Sequence, residues 1–298
     1  MIDATIWHVG VFAHNEARNI VACLDSLQRA AARAPVCHVL ANACTDDTEA
    51  LVRDYARSHP NVQLVTIALG DKANAWNVFV HDVVPAGEAP VFFIDGDVRA
   101  TPGALDAMAR TLAAHPAANG VSALPGSGRG VADFQRDMLK DSGVAGNLYG
   151  LRGGFVERIR AQAVHMPVGT IGEDALIGAM LKWDLRGDTR WDNARVVVAQ
   201  DAGFEFDPVS LWLPREWKKY FRRKLRYSVR GYQNKMLGRA IQPAGFGALP
   251  REIDALYCRY PELAQVTWRG PDTLFDWLAV RAIRAAVRSR ADRHNERT

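Results

Sequence analysis

The segment Val91-Phe92-Phe93-Ile94-Asp95-Gly96-Asp97 places two carboxylates, separated by a glycine, at the end of an apolar run. Two such acids repel each other unless a cation lies between them. Hard divalent ions such as Mg²⁺ or Mn²⁺ take carboxylate oxygens and commonly complete their shell with substrate phosphates. An Asp-Gly turn without a ligand is the plain alternative, since that dipeptide is frequent in turns. A second acidic pair, Glu173-Asp174 in Gly172-Glu173-Asp174-Ala175-Leu176-Ile177, opens an apolar stretch of helical character. Acids there suit a helix N-terminus, and a carboxylate so placed can also take a proton from an attacking hydroxyl. Cations crowd a third stretch: Arg215, Lys218, Lys219, Arg222, Arg223, Lys224, Arg226 and Arg230. Such a surface suits phosphates, nucleic acid or anionic headgroups. The later arginines Arg281, Arg284 and Arg288, followed by Arg290 and Arg293, recur beside Ala and Val as on a solvated helix face.

These groups need a scaffold, and the first third of the chain has the pattern of one. Thr5 to Ala13 reads as a strand, and Glu16 to Ala34 as a helix with Ile20, Leu24 and Leu27 on one face. Strands follow at Val36 to Leu40, Val62 to Ile67 and Pro90 to Ile94, separated by helices from about Asp46 to Ser58 and Ala73 to Val84. This alternation argues for an α/β fold with a mostly parallel sheet and helices on both faces. Ligands of such sheets bind beyond the carboxyl ends of the strands. The polar clusters His14-Asn15-Glu16, Asn42 to Asp47, Gly70 to Asn77 and Asp95-Gly96-Asp97 lie there. Gly126-Ser127-Gly128-Arg129-Gly130 reads as a mobile loop, and the less regular half after it as the acceptor side.

Composition sets bounds. A chain of 298 residues, 48% hydrophobic and 23% charged with a formal net charge of +4, is globular and large enough for one large core or two modest ones. Cys23, Cys37, Cys44 and Cys258 are scattered, with no spacing that suggests zinc or a disulfide framework. No segment approaches the roughly 20 apolar residues that span a bilayer, and the N-terminus has no signal-peptide pattern, so a cytoplasmic location is expected.

Several of these motifs together resemble the family 2 glycosyltransferases, which have the GT-A fold and a DxD metal motif, over most of the first 235 residues. Val11-Phe12-Ala13-His14-Asn15-Glu16-Ala17-Arg18-Asn19-Ile20 is similar to the family's opening P-x-x-N-E-x-x-N-I segment, whose strand end borders the nucleotide base. Asn42-Ala43-Cys44-Thr45-Asp46-Asp47-Thr48 is similar to D-G-S-T-D-x-T. Asn42 stands where the family usually has the aspartate that accepts from the uracil imide. An amide both donates and accepts, so guanosine and thymidine donors stay open beside uridine. Gly70-Asp71-Lys72-Ala73-Asn74-Ala75-Trp76-Asn77 resembles G-K-x-x-A-x-N, Leu151-Arg152-Gly153-Gly154-Phe155-Val156-Glu157-Arg158 resembles the G-G-x-x-x-x-R floor beneath the donor sugar, and Gly172 to Leu176 resembles E-D-x-x-L. Arg223-Lys224-Leu225-Arg226-Tyr227 is a degraded Q-x-x-R-W element, with Arg223 for Gln and Tyr227 for Trp.

The resemblance implies an inverting, metal-dependent transfer of a single sugar from a nucleoside-diphosphate sugar to a carbohydrate, lipid-linked or small-molecule acceptor. Asp174 is implied as the base, with Glu173 beside it at the acceptor, and Asp95 and Asp97 as ligands of Mg²⁺ or Mn²⁺. Ala13, Asn15, Glu16, Asn42, Lys72, Asn74, Asp95, Gly96, Gly153, Gly154 and Arg226 are implied at the donor, Arg226 on the leaving diphosphate. The catalytic domain would span residues 1–235, with a nucleotide-sugar half at 1–125 and an acceptor half at 126–235, followed by a basic helical extension at 236–298. Without the glutamine, the tryptophan or a membrane span, a polymer synthase is not expected. The mix of aromatics and arginines from Leu211 to Tyr232 suits a peripheral contact with the inner membrane face, and no nucleic-acid partner is expected. Two other readings are a nucleotidyltransferase of similar sheet, which would carry a glycine-rich phosphate loop where His14-Asn15-Glu16 stands, and a non-catalytic module of the same fold with a basic docking face. Trp183, Trp191, Trp212 and Trp217 suit stacking on an acceptor but equally well core packing.

Overall fold

Val91, Phe92, Phe93 and Ile94 are all buried, as expected of a central strand covered on both faces. The computed structural model describes residues 6–128, 130–187, 190–207 and 214–295, apart from the side chains of 214–219, 243 and 293–295. Arg129, Thr5, Leu211, Trp212 and the side chains of Arg215, Trp217, Lys218, Lys219 and Arg293, singled out in the sequence, therefore lie outside the described residues. The first unit runs β1 (His8–Ala13), α1 (Ile20–Gln28), β2 (Val36–Asn42), α2 (Thr48–Ser58), β3 (Val62–Ile67), α3 (Lys72–Val78) and β4 (Val91–Asp95), with a π-helical turn, Phe79–Val83, closing α3. Then come β5 (Val98–Ala100), α4 (Ala104–Ala114), β6 (Gly120–Pro125), α5 (Val131–Asp141), β7 (Leu148–Leu151), α6 (Gly153–Ala161), α7 (Glu173–Lys182), β8 (Val196–Phe206), α8 (Pro214–Ala244), α9 (Asp254–Arg259) and α10 (Thr273–Asn295).

The first helix was expected from Glu16 but starts at Ile20. Asn15 takes a left-handed backbone (φ 59°), and the N–H groups of Glu16 and Ala17 donate to Thr48 Oγ1 (2.8 Å) and Asp46 Oδ2 (3.1 Å) instead of entering a helix. Tertiary bonds have overridden local propensity here.

The eight strands lie in the order β3-β2-β1-β4-β7-β6-β8-β5. β3, β2, β1 and β4 are parallel, β7 is antiparallel to both of its neighbours, β6 and β8 are parallel, and β5 is antiparallel to β8. Only Gly96 and Asp97 join β4 to β5, although four strand positions separate them. Three Cα–Cα steps reach about 11 Å, whereas four strand spacings come to about 19 Å. The sheet must therefore curl until β5 and the end of β8 return over the end of β4, and Asp95-Gly96-Asp97 sits in that fold-back.

Strand alternation sends Val9 and Val11 to the face packed by α1 and α4, and Phe12, Leu40 and Phe93 to the other, where one buried cluster continues through Trp76, Phe155 and Leu176 to Met236, Leu256 and Ile283. The C-terminal helices thus share a core with the sheet. All four cysteines are free.

Candidate active site

Three loops at the carboxyl ends of β1, β2 and β3 brace one another. Asn15 Oδ1 accepts from Thr45 N (2.7 Å) and Asp46 N (3.3 Å), and His14 Nδ1 lies 2.6 Å from the Asn42 carbonyl. Asn42, buried at the end of β2, accepts through Oδ1 from Asp71 N (3.0 Å). Asp71 in turn caps α3, with Oδ1 accepting from Asn74 N (2.8 Å), and its Oδ2 accepts from Gly169 N (2.9 Å) in the loop that enters α7. The Asp95-Gly96 backbone is pinned as well: Gly96 N donates to Phe12 O (2.8 Å) and Asp95 N to Asn147 O (3.1 Å). A Cβ on Gly96 would meet Phe12 O at 3.1 Å and Ala13 Cβ at 3.2 Å, so the acidic turn lies directly on the end of β1.

Onto this frame the first residue of α3 and the first turn of α7 bring a charge cluster. Lys72 Nζ bridges Asp95 Oδ1 and Glu173 Oε1, at 2.5 Å each, and lies 5.7 Å from the centre of the Phe12 ring. The three side chains are only 29%, 24% and 13% exposed. Burial pushes the Asp95 carboxyl up to about 7; the Lys72 ammonium pulls it down, while Glu173 and Asp97 add to the rise. Burial opposes ionisation of Glu173 too, but Lys72, helped by a backbone N–H and by the charge of Arg226, outweighs it and the net shift is downward. For Lys72 the two carboxylates outweigh burial, and its pKa is raised. Beneath them Tyr149 stacks on Phe93 (4.7 Å) and its hydroxyl accepts from Trp76 Nε1 (3.0 Å).

The cluster holds one cation against Asp95, Asp97 and Glu173, a formal excess of two negative charges. That surplus, with hard oxygen donors and Asp97 exposed beside the half-buried Asp95 and Glu173, fits a divalent cation. No group of three or more His, Cys, Asp or Glu side chains suited to a metal occurs among the described residues, so further ligands would have to come from a substrate.

Asp174, next in α7, pairs with Arg230 of α8 (3.1 Å). Gly172, the residue before α7, has φ 76°, a backbone that favours glycine, and lies against the Arg230 side chain, which a Cβ there would displace. Between α7 and α8 opens a cleft of about 370 Å³ lined by Ile171, Gly172, Glu173, Arg222, Arg223, Arg226, Tyr227 and Arg230. Arg226 thus stands on the same rim as Glu173. Arg223 donates from Nε to the Tyr227 hydroxyl (2.6 Å), so the two residues that replace Gln and Trp touch each other.

Gly153 and Gly154, expected beneath the donor sugar, do not join this rim. β7 runs antiparallel to β4, with Leu151 opposite Val91 and Leu148 opposite Ile94, so its end lies at the far edge of the sheet from Asp95. Gly153 there packs against the backbone of Gly87 and Glu88. The start of β7 faces the site instead: a Cβ on Gly146 would stand 3.0 Å from the Asp174 Cβ. Ala13, Asn15, Glu16, Asn42, Asn74, Asp95 and Gly96 all lie on or beside the carboxyl-end loops, and Lys72, Asp95 and Glu173 meet directly.

Residues 8–171, more than half of the chain, match the family described as glycosyl transferase family 2. The chain belongs to that family. Solved structures similar to this family 2 member include the mannosyltransferase PcManGT from Pyrobaculum calidifontis in complex with GDP-Man and Mn²⁺ (TM-score 0.60, 20% identity, covering 96% of this chain and 75% of that one). TarS 1-349 of S. aureus follows (0.52, 15%, 87% and 71%), as does glucosyl-3-phosphoglycerate synthase from Mycobacterium tuberculosis with Mn²⁺, UDP and phosphoglyceric acid (0.52, 17%, 76% and 78%). At these identities the likeness is one of fold, and the fold is GT-A. No curated protein matches this family 2 chain in sequence.

Three residues of the site went unassigned in the sequence: Asp71, Arg230 and Gln233. Asp71 had a signal, a capping residue three before Asn74, and Arg230 another, four residues after Arg226 on a helix. Gln233, fully buried, accepts from Ile171 N (2.7 Å) and donates to Gly169 O (2.9 Å) and the Tyr257 hydroxyl (2.6 Å). Nothing in sequence spacing announces it.

Proposed function

We propose that this chain transfers one sugar, with inversion, from a nucleoside-diphosphate sugar to an acceptor hydroxyl, using Asp174 as base and a divalent cation at Asp95 and Asp97. The convergence of Asp95, Lys72 and Glu173 on one rim, with Asp174 next in α7 and paired with Arg230 of the cleft wall, carries the reading. The complexes of PcManGT with GDP-Man and Mn²⁺ and of glucosyl-3-phosphoglycerate synthase with UDP and Mn²⁺ support it.

Asn15, Glu16 and Asn42 border the base. The Asn42 oxygen already accepts from Asp71 N–H, so its side chain offers a base an amide N–H and at most one further acceptor lone pair. Asp95 and Asp97 would hold Mg²⁺ or Mn²⁺ by their carboxylate oxygens, and the ion would supply charge neutralisation at the leaving diphosphate. Lys72 positions Asp95 and Glu173, Arg226 offers a guanidinium fork to the departing phosphate, and Asp174, oriented by Arg230, takes the acceptor proton as the hydroxyl attacks. Base catalysis of this kind is worth roughly 10² to 10⁴-fold. Asp174→Asn should therefore lower kcat by about that factor and leave binding of nucleoside diphosphate with Mn²⁺ within about threefold. Undiminished turnover in this variant would remove Asp174 from the role, and undiminished wild-type turnover in saturating chelator would remove the metal.

A peripheral membrane contact at the inner face is part of the proposal. Phe221 (51% exposed), Trp268 (85%), Leu274 (56%) and Trp277 (47%) are open to solvent. Phe221 reaches α10 through Phe275 (5.8 Å), and Arg281 covers Trp277 (4.8 Å). Aromatics mixed with arginines suit an anionic interface, and among the described residues no helix is long and apolar enough to cross a membrane. Flotation with phosphatidylserine-containing vesicles should carry the protein upward at low salt; protein left at the bottom rejects the contact.

A further inference from the structure

We propose that the acceptor carries a phosphate group, and that Arg222 and Arg223 at the mouth of the α7–α8 cleft bind it. The inference rests on the transfer reading above and adds the chemical class of the acceptor.

The cleft holds more positive charge than the donor requires. Arg222, Arg226 and Arg230 recur at four-residue steps on α8, with Arg223 and Tyr227 on the adjoining row, and all five line the same cavity. Like charges four apart on a helix repel and cost a few tenths of a kcal/mol per pair, so such a stripe calls for an anion opposite it. The protein's own acids do not provide enough. Asp174 answers Arg230 (3.1 Å), and Glu173 is already engaged by Lys72 (2.5 Å). Neither Arg222 nor Arg226 has an ion-pair partner among the described residues, and Arg223 is held only by the neutral Tyr227 hydroxyl (2.6 Å).

The donor accounts for part of this. A nucleoside-diphosphate sugar brings two negative charges, which match a divalent cation at Asp95 and Asp97, and one guanidinium from Arg226 suffices for the charge that develops on the leaving group. Arg222 and Arg223 remain, one helical turn before Arg226 and so farther along α8 from the Asp174–Arg230 pair. Asp174 adjoins the inner end of the cleft through its pair with Arg230, so a hydroxyl at that end and an anionic group at Arg222 and Arg223 are then two ends of one bound molecule. A cavity of about 370 Å³ is within the usual range for small ligands. Guanidinium forks match phosphate oxygens bidentately, and the Tyr227 ring behind Arg223 (5.4 Å) keeps one fork in place. A soluble phosphate ester and a lipid phosphate share this chemistry.

The test is calorimetric titration of the full chain, with Mn²⁺ and saturating nucleoside diphosphate, using two matched pairs of probes in which each phosphate keeps a free hydroxyl: glycerol 3-phosphate against glycerol, and a short-chain lysophosphatidic acid against its monoacylglycerol. In the wild-type protein at least one phosphate should bind ten or more times as tightly as its neutral parent; tighter binding of the lipid phosphate would identify a lipid source, and of glycerol 3-phosphate a soluble one. The R222Q/R223Q variant should lose at least tenfold in affinity for that phosphate while its nucleoside diphosphate affinity stays within about threefold, which also shows that it is folded. Equal binding of each phosphate and its parent by wild-type protein overturns the proposal whatever the variant does. Parallel loss of nucleotide and phosphate binding in the folded variant overturns it too, by assigning the arginines to the donor. Wild-type protein that binds the phosphates but no nucleoside diphosphate takes down the transfer reading itself, and the acceptor role with it.

Discussion

His38 shows how a single side chain sets a limit on the molecule. It lies in β2, only 4% exposed, with its Nε2 2.9 Å from His8 Nδ1, its ring against Phe79 (5.7 Å), and its own Nδ1 without a hydrogen-bond partner. One ring must donate and the other accept, so doubly protonated rings would set two N–H donors face to face. Burial and then the neighbouring His8 push the His38 pKa down to about 4, and burial lowers that of His8. Above the unfolded value of about 6.5 both states are neutral and nothing is lost. Between there and about 4 the unfolded chain takes up protons that the folded chain refuses, so stability should fall by up to about 3 kcal/mol through His38 alone. Urea unfolding from pH 7.5 to 4.5 should show this fall, and His38→Leu should flatten it; an equal fall in the variant would place the acid sensitivity elsewhere. At this scale the acidic pairs drew attention to Asp95 and Glu173 by residue type, Lys72 entered only through the family pattern, and the structure brings the three side chains together. The sequence was not legible where conformation decides: Ala43 stands at φ 50°, where the family pattern has glycine, and Asn42 turns its oxygen to a backbone N–H.

The elements were legible in proportion to how local their causes are. β1 to β4 and their helices follow from apolar periodicity, but their ends do not: α1 stops at Gln28 short of the expected Ala34, β2 runs on to Asn42 by pairing with β3, and α3 passes into a π turn at Phe79. The second half was harder because strand direction is a tertiary property: four buried residues, Leu148–Leu151, look the same in either direction, and reversal of β7 is what puts Gly153 at the opposite end of β4 from Asp95. Asp71 ties the two halves together, capping α3 and holding Gly169 ahead of α7 with one carboxylate. Asp71→Ala should lose both bonds, costing about 1 to 2 kcal/mol of stability, and it should lower kcat/KM by about tenfold or more, since small misplacement of a catalytic group is expensive. Asp71→Asn keeps a capping oxygen and should restore most of the stability but less of the activity. If Asp71→Ala lowers the melting temperature yet leaves kcat/KM intact, the bond to Gly169 is structural only.

On the scale of the whole molecule, the helices after residue 235 belong to the core that carries the site. Met236, Leu237, Ile241, Phe246, Ile253, Leu256, Val280 and Ile283 are each no more than 5% exposed and lie in the same buried cluster as Trp76 and Phe93. At about 1.5 to 3 kcal/mol per buried apolar side chain, these eight contribute about 12 to 24 kcal/mol, as much as or more than the roughly 5 to 15 kcal/mol by which a domain is stable. The contribution is also geometric, because Tyr257 of α9 is bonded to Gln233, and Gln233 holds the 169–171 loop from which α7 starts. A chain cut after residue 235 should therefore fail to unfold cooperatively and should not bind nucleoside diphosphate, whereas the full chain should melt in one transition that nucleotide with Mn²⁺ shifts upward. A soluble truncated chain with the nucleotide affinity of the full one would show instead that the sheet and the Asp95 turn stand alone, and that the C-terminal helices serve only the acceptor cleft and the surface beyond it.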